Sequence, residues 1–419
     1  MNEQPTVLVR MADAGDIYIS WRWLHHDAAP GVSFAREAEV AEALQQLKTA
    51  LPDPSVPGSL EHALTAGPFA TPATEYELGR TLSRTFLHLQ LATQLRDLLQ
   101  QGVRPHIRIQ PAPRLAQIPW ELLAPSPEFR LLDIADLSAL APAGIVGAPD
   151  RKANSWNETR DQPIVAILDP RIPGYRADSP LGSILGRMDP NTPLAQRITE
   201  YSAQGRLSPA ITAPAEAFRR TDIDRTWLST ALHKGASRLL YVGHVTAAPP
   251  ESGQSETAEL HLPCTADTLG FATPTRTHRP FSAKDLLLGT HTLTPNPLTG
   301  QALWPIPSRV ALIACESGGD LRFTEALGLV AAMLNNGAEL VTATRWPLPT
   351  DLAFHRLAAA PPEATPLQDA ICAIDTAHED PAPMHTLNAW QRTHLSAWRT
   401  TGSIEHSPLL WAAFATVHD

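Results

Sequence analysis

Hydrophobic positions follow two periods along this chain. Ile164–Leu168, Arg238–Gly243, Val310–Ala314 and Glu339–Thr344 are short apolar runs closed by polar or turn-forming residues, the pattern of strands buried on both faces of a parallel sheet. Helical periodicity separates them. Thr221–His233 reads as a helix with Thr221 as N-cap and Gly235 as its C′ residue, and Thr324–Asn335 as one with Leu327, Val330, Ala331 and Leu334 on its apolar stripe. Strand, helix and returning strand make right-handed βαβ units. Ala258–Leu262 is hairpin-like, and Phe281–Leu288 is a short helix with Ser282 as N-cap. Asp351–Ala359, Pro366–His378 and Leu387–Arg399 are helical, with Cys372 on the apolar face of the second, and Leu409–Val417 closes the sheet as a strand. Upstream, Thr6–Val9, Ile17–Ile19 and His106–Ile109 are strands, Ser33–Leu51 is a helix, and Glu75–Gln101 is one long helix stopped by Gly102. Gly147–Gln162 is polar and turn-rich and marks a domain boundary, and Pro170–Pro214 reads as a surface excursion. The expected organisation is an α/β subdomain over residues 1–145, a linker over 146–162, and an α/β domain with a mostly parallel sheet over 163–419.

Composition narrows the class. In 419 residues, 43% hydrophobic and 18% charged content fits a globular protein, and no apolar run is long enough for a membrane helix. The amino terminus lacks the basic segment and apolar core of a signal peptide. Cys264, Cys315 and Cys372 cannot build a disulfide framework and suit a reducing cytosol. A net charge of −10 argues against nucleic acid as a direct partner. Arginine-rich basic content with 40 prolines points to a GC-rich bacterial genome. There is no P-loop, dinucleotide fingerprint or zinc-ligand cluster: His261 and Cys264 have the spacing of a zinc pair, but no second pair follows. His261, His278 and His291 are therefore read as surface residues, and no metal or organic cofactor is expected.

Two apolar runs end on reactive side chains. The Val310–Ala314 run stops at Cys315, followed by Glu316, Ser317, Gly318 and Gly319; the Arg238–Gly243 run stops at His244. Ligands of open α/β sheets bind at the carboxyl ends of strands. If the two strands are parallel neighbours, imidazole and thiol emerge together, as thiol activation requires. Alone, Cys315 reads first as a packed core cysteine, and second as a nucleophile. Cys264 is a rival nucleophile without a glycine-rich turn behind it. Asp169, ending the Ile164–Leu168 run, reads as a turn cap before Pro170, and Trp346, close to two prolines, as a packing lid.

At these residues the chain resembles a known family. Tyr241-Val242-Gly243-His244 and Ala311–Gly318 are similar to the histidine and cysteine motifs of the CHAT proteins, a bacterial branch of the caspase–separase cysteine peptidases. In the same order, Ile118–Leu123 resembles the family's (I/L)PWELL segment, Gly337–Asp351 its strand and loop ending in Trp-Pro, and Pro408–Phe414 its terminal strand. The resemblance runs from about Leu95 to the carboxyl terminus. It implies a caspase-like sheet flanked by helices and preceded by a catalytically silent α/β subdomain. It also implies a His244–Cys315 dyad, an oxyanion hole from the main-chain N–H groups of Val245 and Cys315, and a substrate pocket near Asp169, Glu316, Arg345 and Trp346, in which Asp169 would select a basic side chain or Arg345 an acidic one and Trp346 would touch the substrate. The implied activity is cytoplasmic endopeptidase cleavage of a protein substrate, with an activating protein partner, in a defence or cell-death pathway. The alternative is a caspase-like binding scaffold. The family carries glycine after the histidine, where this chain has Val245.

Overall fold

A computed structural model describes residues 4–323 and 326–418. The chain forms two compact units: Met1–Leu140, Asp351–Pro366 and Asp380–Ala415 make the first, and Ala141–Thr350, Leu367–Glu379 and Thr416–Asp419 the second. Asp351–Pro366 and Asp380–Ala415 thus group with the first unit rather than with the rest of 163–419. The reason lies in Pro383–Thr401, a helix that buries Leu387, Leu395 and Trp398 in the first unit. Its Asn388 accepts from the Leu137 N–H (2.6 Å) and donates to the Leu137 carbonyl (3.2 Å).

The first unit holds strands β1 (Thr6–Ala14), β2 (Asp16–Leu24), β3 (Gly31–Ala35), β4 (His106–Gln110) and β5 (Asp136–Leu140) in the order β3-β2-β1-β4-β5. The β1–β2 and β2–β3 pairs are antiparallel; β1–β4 and β4–β5 are parallel. β1 and β2 are longer than expected and meet at Gly15, whose φ of 90° closes the hairpin. β2 alternates strictly, burying Ile17, Ile19, Trp21 and Trp23. The helices are α1 (Glu37–Ala50), α2 (Ser59–Thr65), α3 (Pro72–Phe86) and α4 (Leu89–Gln100). Both Trp21 and Trp23 donate their indole N–H to Gln94 of α4. The stretch Ser33–Leu51 splits into β3 and α1, because Val32 and Phe34 alternate with smaller residues before the helical stripe starts at Val40. The long helix expected over Glu75–Gln101 is two helices: Leu87 and His88 are extended, and His88 Nδ1 caps the Gln90 N–H at 3.3 Å.

The second unit holds β6 (Ile164–Leu168), β7 (Leu207–Ser208), β8 (Arg238–Val242), β9 (Val245–Thr246), β10 (Glu259–Leu260), β11 (Phe281–Ser282), β12 (Arg309–Ile313) and β13 (Leu340–Thr344). Its main sheet runs β13-β12-β8-β6-β7, with every pair parallel. Every residue of β6, β8, β12 and β13 is buried, as strands covered by helices on both faces require. Asp224, rather than Thr221, caps the helix Arg225–His233. The helix expected from Thr324 occupies Leu329–Asn335; Thr324 and Glu325 lie outside the described residues. The excursion after Pro170 is partly core: its helix Pro193–Ala203 buries Leu194, Ile198 and Tyr201. At the chain end, Pro408–Trp411 is a helical turn, and the strand β14 (Phe414–His418) follows it.

At the amino end of β8, Arg238 is buried against Asp375 (Nε to Oδ1, 3.0 Å) and Glu379 (3.0 Å). Tyr201 donates to Asp375 at 2.6 Å, and Arg197 also bonds it. Burial works to raise the Asp375 pKa, but Arg238 and Arg197 outweigh it and hold the carboxyl below its ordinary value. Asp375→Ala removes the buried partner of Arg238, Arg197 and Tyr201 and leaves Arg238 only Glu379 as a counter-charge; it is expected to cost about 3 kcal/mol, read as a lower urea midpoint. An unchanged midpoint would show the cluster to be energetically neutral.

Candidate functional site

The parallel β8–β12 register pairs Val242 with Ile313. His244 and Cys315 are each the second residue past that pair, so both leave the sheet at the same edge. Neighbouring strands lie about 4.8 Å apart. Gly243 carries the chain between: its N–H donates to the Ile313 carbonyl at 3.2 Å, and a Cβ there would sit 2.6 Å from the Tyr241 hydroxyl. That hydroxyl, buried, donates to the His244 carbonyl at 2.7 Å and lies 3.0 Å from the His261 carbonyl.

His244 is half-buried, and its Nε2 lies 2.9 Å from the Gly182 carbonyl. A carbonyl only accepts, so Nε2 carries the proton and Nδ1 keeps the basic lone pair. Burial lowers the His244 pKa below its ordinary value; the Gly182 bond and Asp169 oppose this, and Arg219 adds to it. The imidazole is therefore neutral at pH 7. Gly182 is fixed in turn. Arg219 donates to its carbonyl (3.0 Å) and to Asp169 (3.1 Å). Asp169 also accepts from the Ser183 hydroxyl (2.5 Å) and the Ile184 N–H (3.2 Å). It is 1% exposed at φ 47°, a left-handed conformation that Asp tolerates. Asp169 thus shapes the turn beneath the imidazole, and its oxygens are spent there.

The turn after Cys315 is tied to the end of β13. Ser317 donates its hydroxyl to the Leu312 carbonyl (2.6 Å) and its N–H to Thr344 Oγ1 (3.1 Å). Thr344 returns its N–H to Ser317 Oγ (3.0 Å) and its hydroxyl to the Ala314 carbonyl. The Gly318 N–H reaches the Thr344 carbonyl at 3.0 Å, leaving 3.2 Å between that oxygen and any Cβ. Glu316 sits at φ 49° and pairs with Arg322 at 3.2 Å. Cys315 is half-buried; burial pushes its thiol above the ordinary value, a Leu348 main-chain bond opposes this, and Glu316 adds to it. No hydrogen bond joins the His244 and Cys315 side chains.

Val245 opens β9, which pairs antiparallel with β10 in the small sheet β11-β10-β9. The His261 N–H donates to the His244 carbonyl at 3.2 Å, so His244–His261 is the hydrogen-bonded pair. The next pair, Val245–Leu260, is then of the other kind, whose N–H and C=O groups turn away from the partner strand. Val245 is extended, with no positive φ, a conformation that suits a β-branched residue.

Arg345 and Trp346 follow the carboxyl end of β13. Trp346 is 0% exposed and Arg345 9%, so Trp346 packs as core and Arg345 is largely covered. Cys264 is buried and its thiol raised, and burial pushes Cys372 up to about 12. Contrary to the surface assignment, His261 is 3% and His278 0% exposed. His261 Nδ1 lies 3.0 Å from His278 Nε2, His261 Nε2 lies 2.8 Å from the Thr246 hydroxyl, and His278 Nδ1 bonds the Cys264 carbonyl at 2.9 Å. This chain of bonds, with Tyr241, backs the His244 turn. No cluster of metal-ligand type occurs among the described residues. Sequence reading missed Gly182, Ser183, Arg219 and Thr344, whose partners lie along the loop or on another strand, and gave Tyr241 no role beyond its place in the motif.

A family model described as CHAT domain matches residues 76–419. Comparison with curated proteins finds no match. Among solved structures, two crystal structures of the Saccharomyces cerevisiae separase–securin complex, at 2.6 and 3.0 Å, are similar at 9% identity with TM-scores of 0.47 and 0.46. Each match covers 99% of this chain but 30% of the other.

Proposed function

Since the chain belongs to the CHAT domain family, we propose that it is a cysteine endopeptidase whose nucleophile is Cys315 and whose proton carrier is His244. The observation that carries this reading is the β8–β12 register, which brings both residues out at one sheet edge. The Cys315 sulfur attacks a peptide carbonyl to form an acyl-enzyme; His244 Nδ1 takes the thiol proton and delivers it to the leaving amine, and water then releases the acyl group. The Gly182 carbonyl, braced by Arg219, holds the imidazole in the required tautomer. The N–H groups of Val245 and Cys315 receive the oxyanion. Val245→Gly is expected to change the rate little, because the N–H already turns away from β10. Val245→Pro, which removes it, is expected to lower kcat by about 10²–10³-fold. Equal rates for wild type and the proline variant would remove Val245 from the oxyanion hole.

The raised thiol and the missing His244–Cys315 bond favour a resting enzyme whose groove is completed by an activating protein partner. On this reading the substrate is a protein, the compartment a reducing bacterial cytosol and the setting a regulated defence or cell-death response. Asp169 being saturated and Arg345 largely covered, neither is assigned the specificity charge. The test is mass-spectrometric mapping of new protein N-termini in cells carrying wild type or Cys315→Ala. Termini unique to the wild type are expected; identical sets would support a non-cleaving scaffold.

A further inference from the structure

The outer face of the first unit's sheet is only half covered. Helix Pro383–Thr401 lies on β5, where Arg392 pairs with Asp136 at 2.8 Å. Over β2 and β3 the same face exposes large apolar side chains in one patch: Tyr18 is 48%, Val32 74% and Phe34 57% exposed. Tyr18 and Phe34 are directly opposite in the β2–β3 register, their rings 6.4 Å apart, and Val32 is opposite Ser20. Contiguous apolar exposure of this kind marks an interaction surface. β3 is also the terminal strand of the sheet.

The patch continues into a cavity of about 660 Å³ lined by Leu8, Arg10, Ser20, Arg22, Pro30 and Val32. The β1–β2 register sets Arg22 opposite Leu8 and Arg10 opposite Ser20, which makes the two arginines diagonal neighbours, about 7 Å apart at the backbone. Both are exposed, and neither has an ion-pair partner among the described residues. Two acidic groups of the β1–β2 hairpin are engaged elsewhere: Asp13 pairs with Arg114, and Asp16 accepts the Glu37 N–H. Two unneutralised guanidinium groups inside one cavity, on a chain whose net charge is −10, form a local site for carboxylate.

We propose that this face docks a segment of a partner protein in which an acidic residue is flanked by apolar ones. The carboxylate enters between Arg10 and Arg22, and the apolar residues cover Val32, Phe34 and Tyr18. A second copy of this chain is a poor occupant where a two-fold axis passes through the cavity, because basic cavity would then face basic cavity.

The proposal is independent of cleavage and is tested with the Cys315→Ala chain. A displayed random-peptide library is selected against it, and an enriched peptide is then titrated by fluorescence anisotropy. Enriched sequences are expected to carry Asp or Glu between Val, Ile, Leu or Phe. The affinity is expected to fall more than about tenfold in Arg10→Glu/Arg22→Glu and in Phe34→Glu, and with added salt. These positions are exposed, and unchanged thermal unfolding of each variant checks its fold. Enrichment without acidic residues, binding that survives both variants, or a dimer that Phe34→Glu splits would each overturn the proposal.

Discussion

Cys315→Ala is expected to lower the rate of partner cleavage by about 10⁶-fold, the scale on which a hydrolase loses activity with its nucleophile. His244→Ala is expected to cost nearly as much, and the double variant little more than either, because the two act as one unit. Cys264→Ser and Cys372→Ser should leave the rate unchanged: Cys264 is buried and the Cys372 thiol is raised to about 12. Single-turnover cleavage of a substrate found by N-terminal mapping supplies the measurement. Independent, multiplying losses at His244 and Cys315 would break the dyad.

The second large effect is on stability in mild acid. His261, His278 and His378 are each at most 3% exposed. Burial lowers all three below their ordinary values, His261 and His378 to about 3. Neighbouring positive charge adds to this, His278 for His261, and Arg238 and Arg309 for His378. In the unfolded chain each binds a proton as the pH falls below about 6.5, while in the native protein His261 and His378 stay neutral to far lower pH and His278 shifts in the same direction. The unfolded state therefore holds more protons across that window, and stability falls as pH drops through it. His261 and His378 together give a slope of up to about 2.7 kcal/mol per pH unit, to which His278 adds with the same sign. Asp375 acts in the same direction, but only below the carboxylate range. Urea midpoints taken from neutral pH to about pH 5 should fall steeply; a flat profile would mean that these histidines take up protons without unfolding.

The site's outline was legible because a parallel strand buried on both faces must be apolar throughout. A run of such residues ending in His244 or Cys315 marks the strand end and the reactive group together. Register follows once the strands are neighbours. The Ser282 cap was equally local, settled by Asp285 three residues on. What escaped depends on distant partners. Asp169 meets Arg219 and Ser183 through a loop whose composition resembles open surface, so nothing near Asp169 announces that its charge is already satisfied. His261 and His278 satisfy one another, and a lone histidine in sequence carries no sign of that. The break at Leu87–His88 has neither glycine nor proline, and apolar periodicity runs through it; only the cap by His88 reveals it. The membership of helix Pro383–Thr401 in the first unit rests on Asn388 bracketing Leu137, a contact between residues far apart in the chain.

The most direct test of the dyad is site-resolved alkylation by iodoacetamide, followed by mass spectrometry in the wild type and in His244→Ala. The account predicts that, in cells where cleavage is under way, Cys315 reacts faster than Cys264 and Cys372, and that losing His244 slows Cys315 alone. A Cys315 that reacts no faster than Cys372, or at the same rate with and without His244, would contradict it.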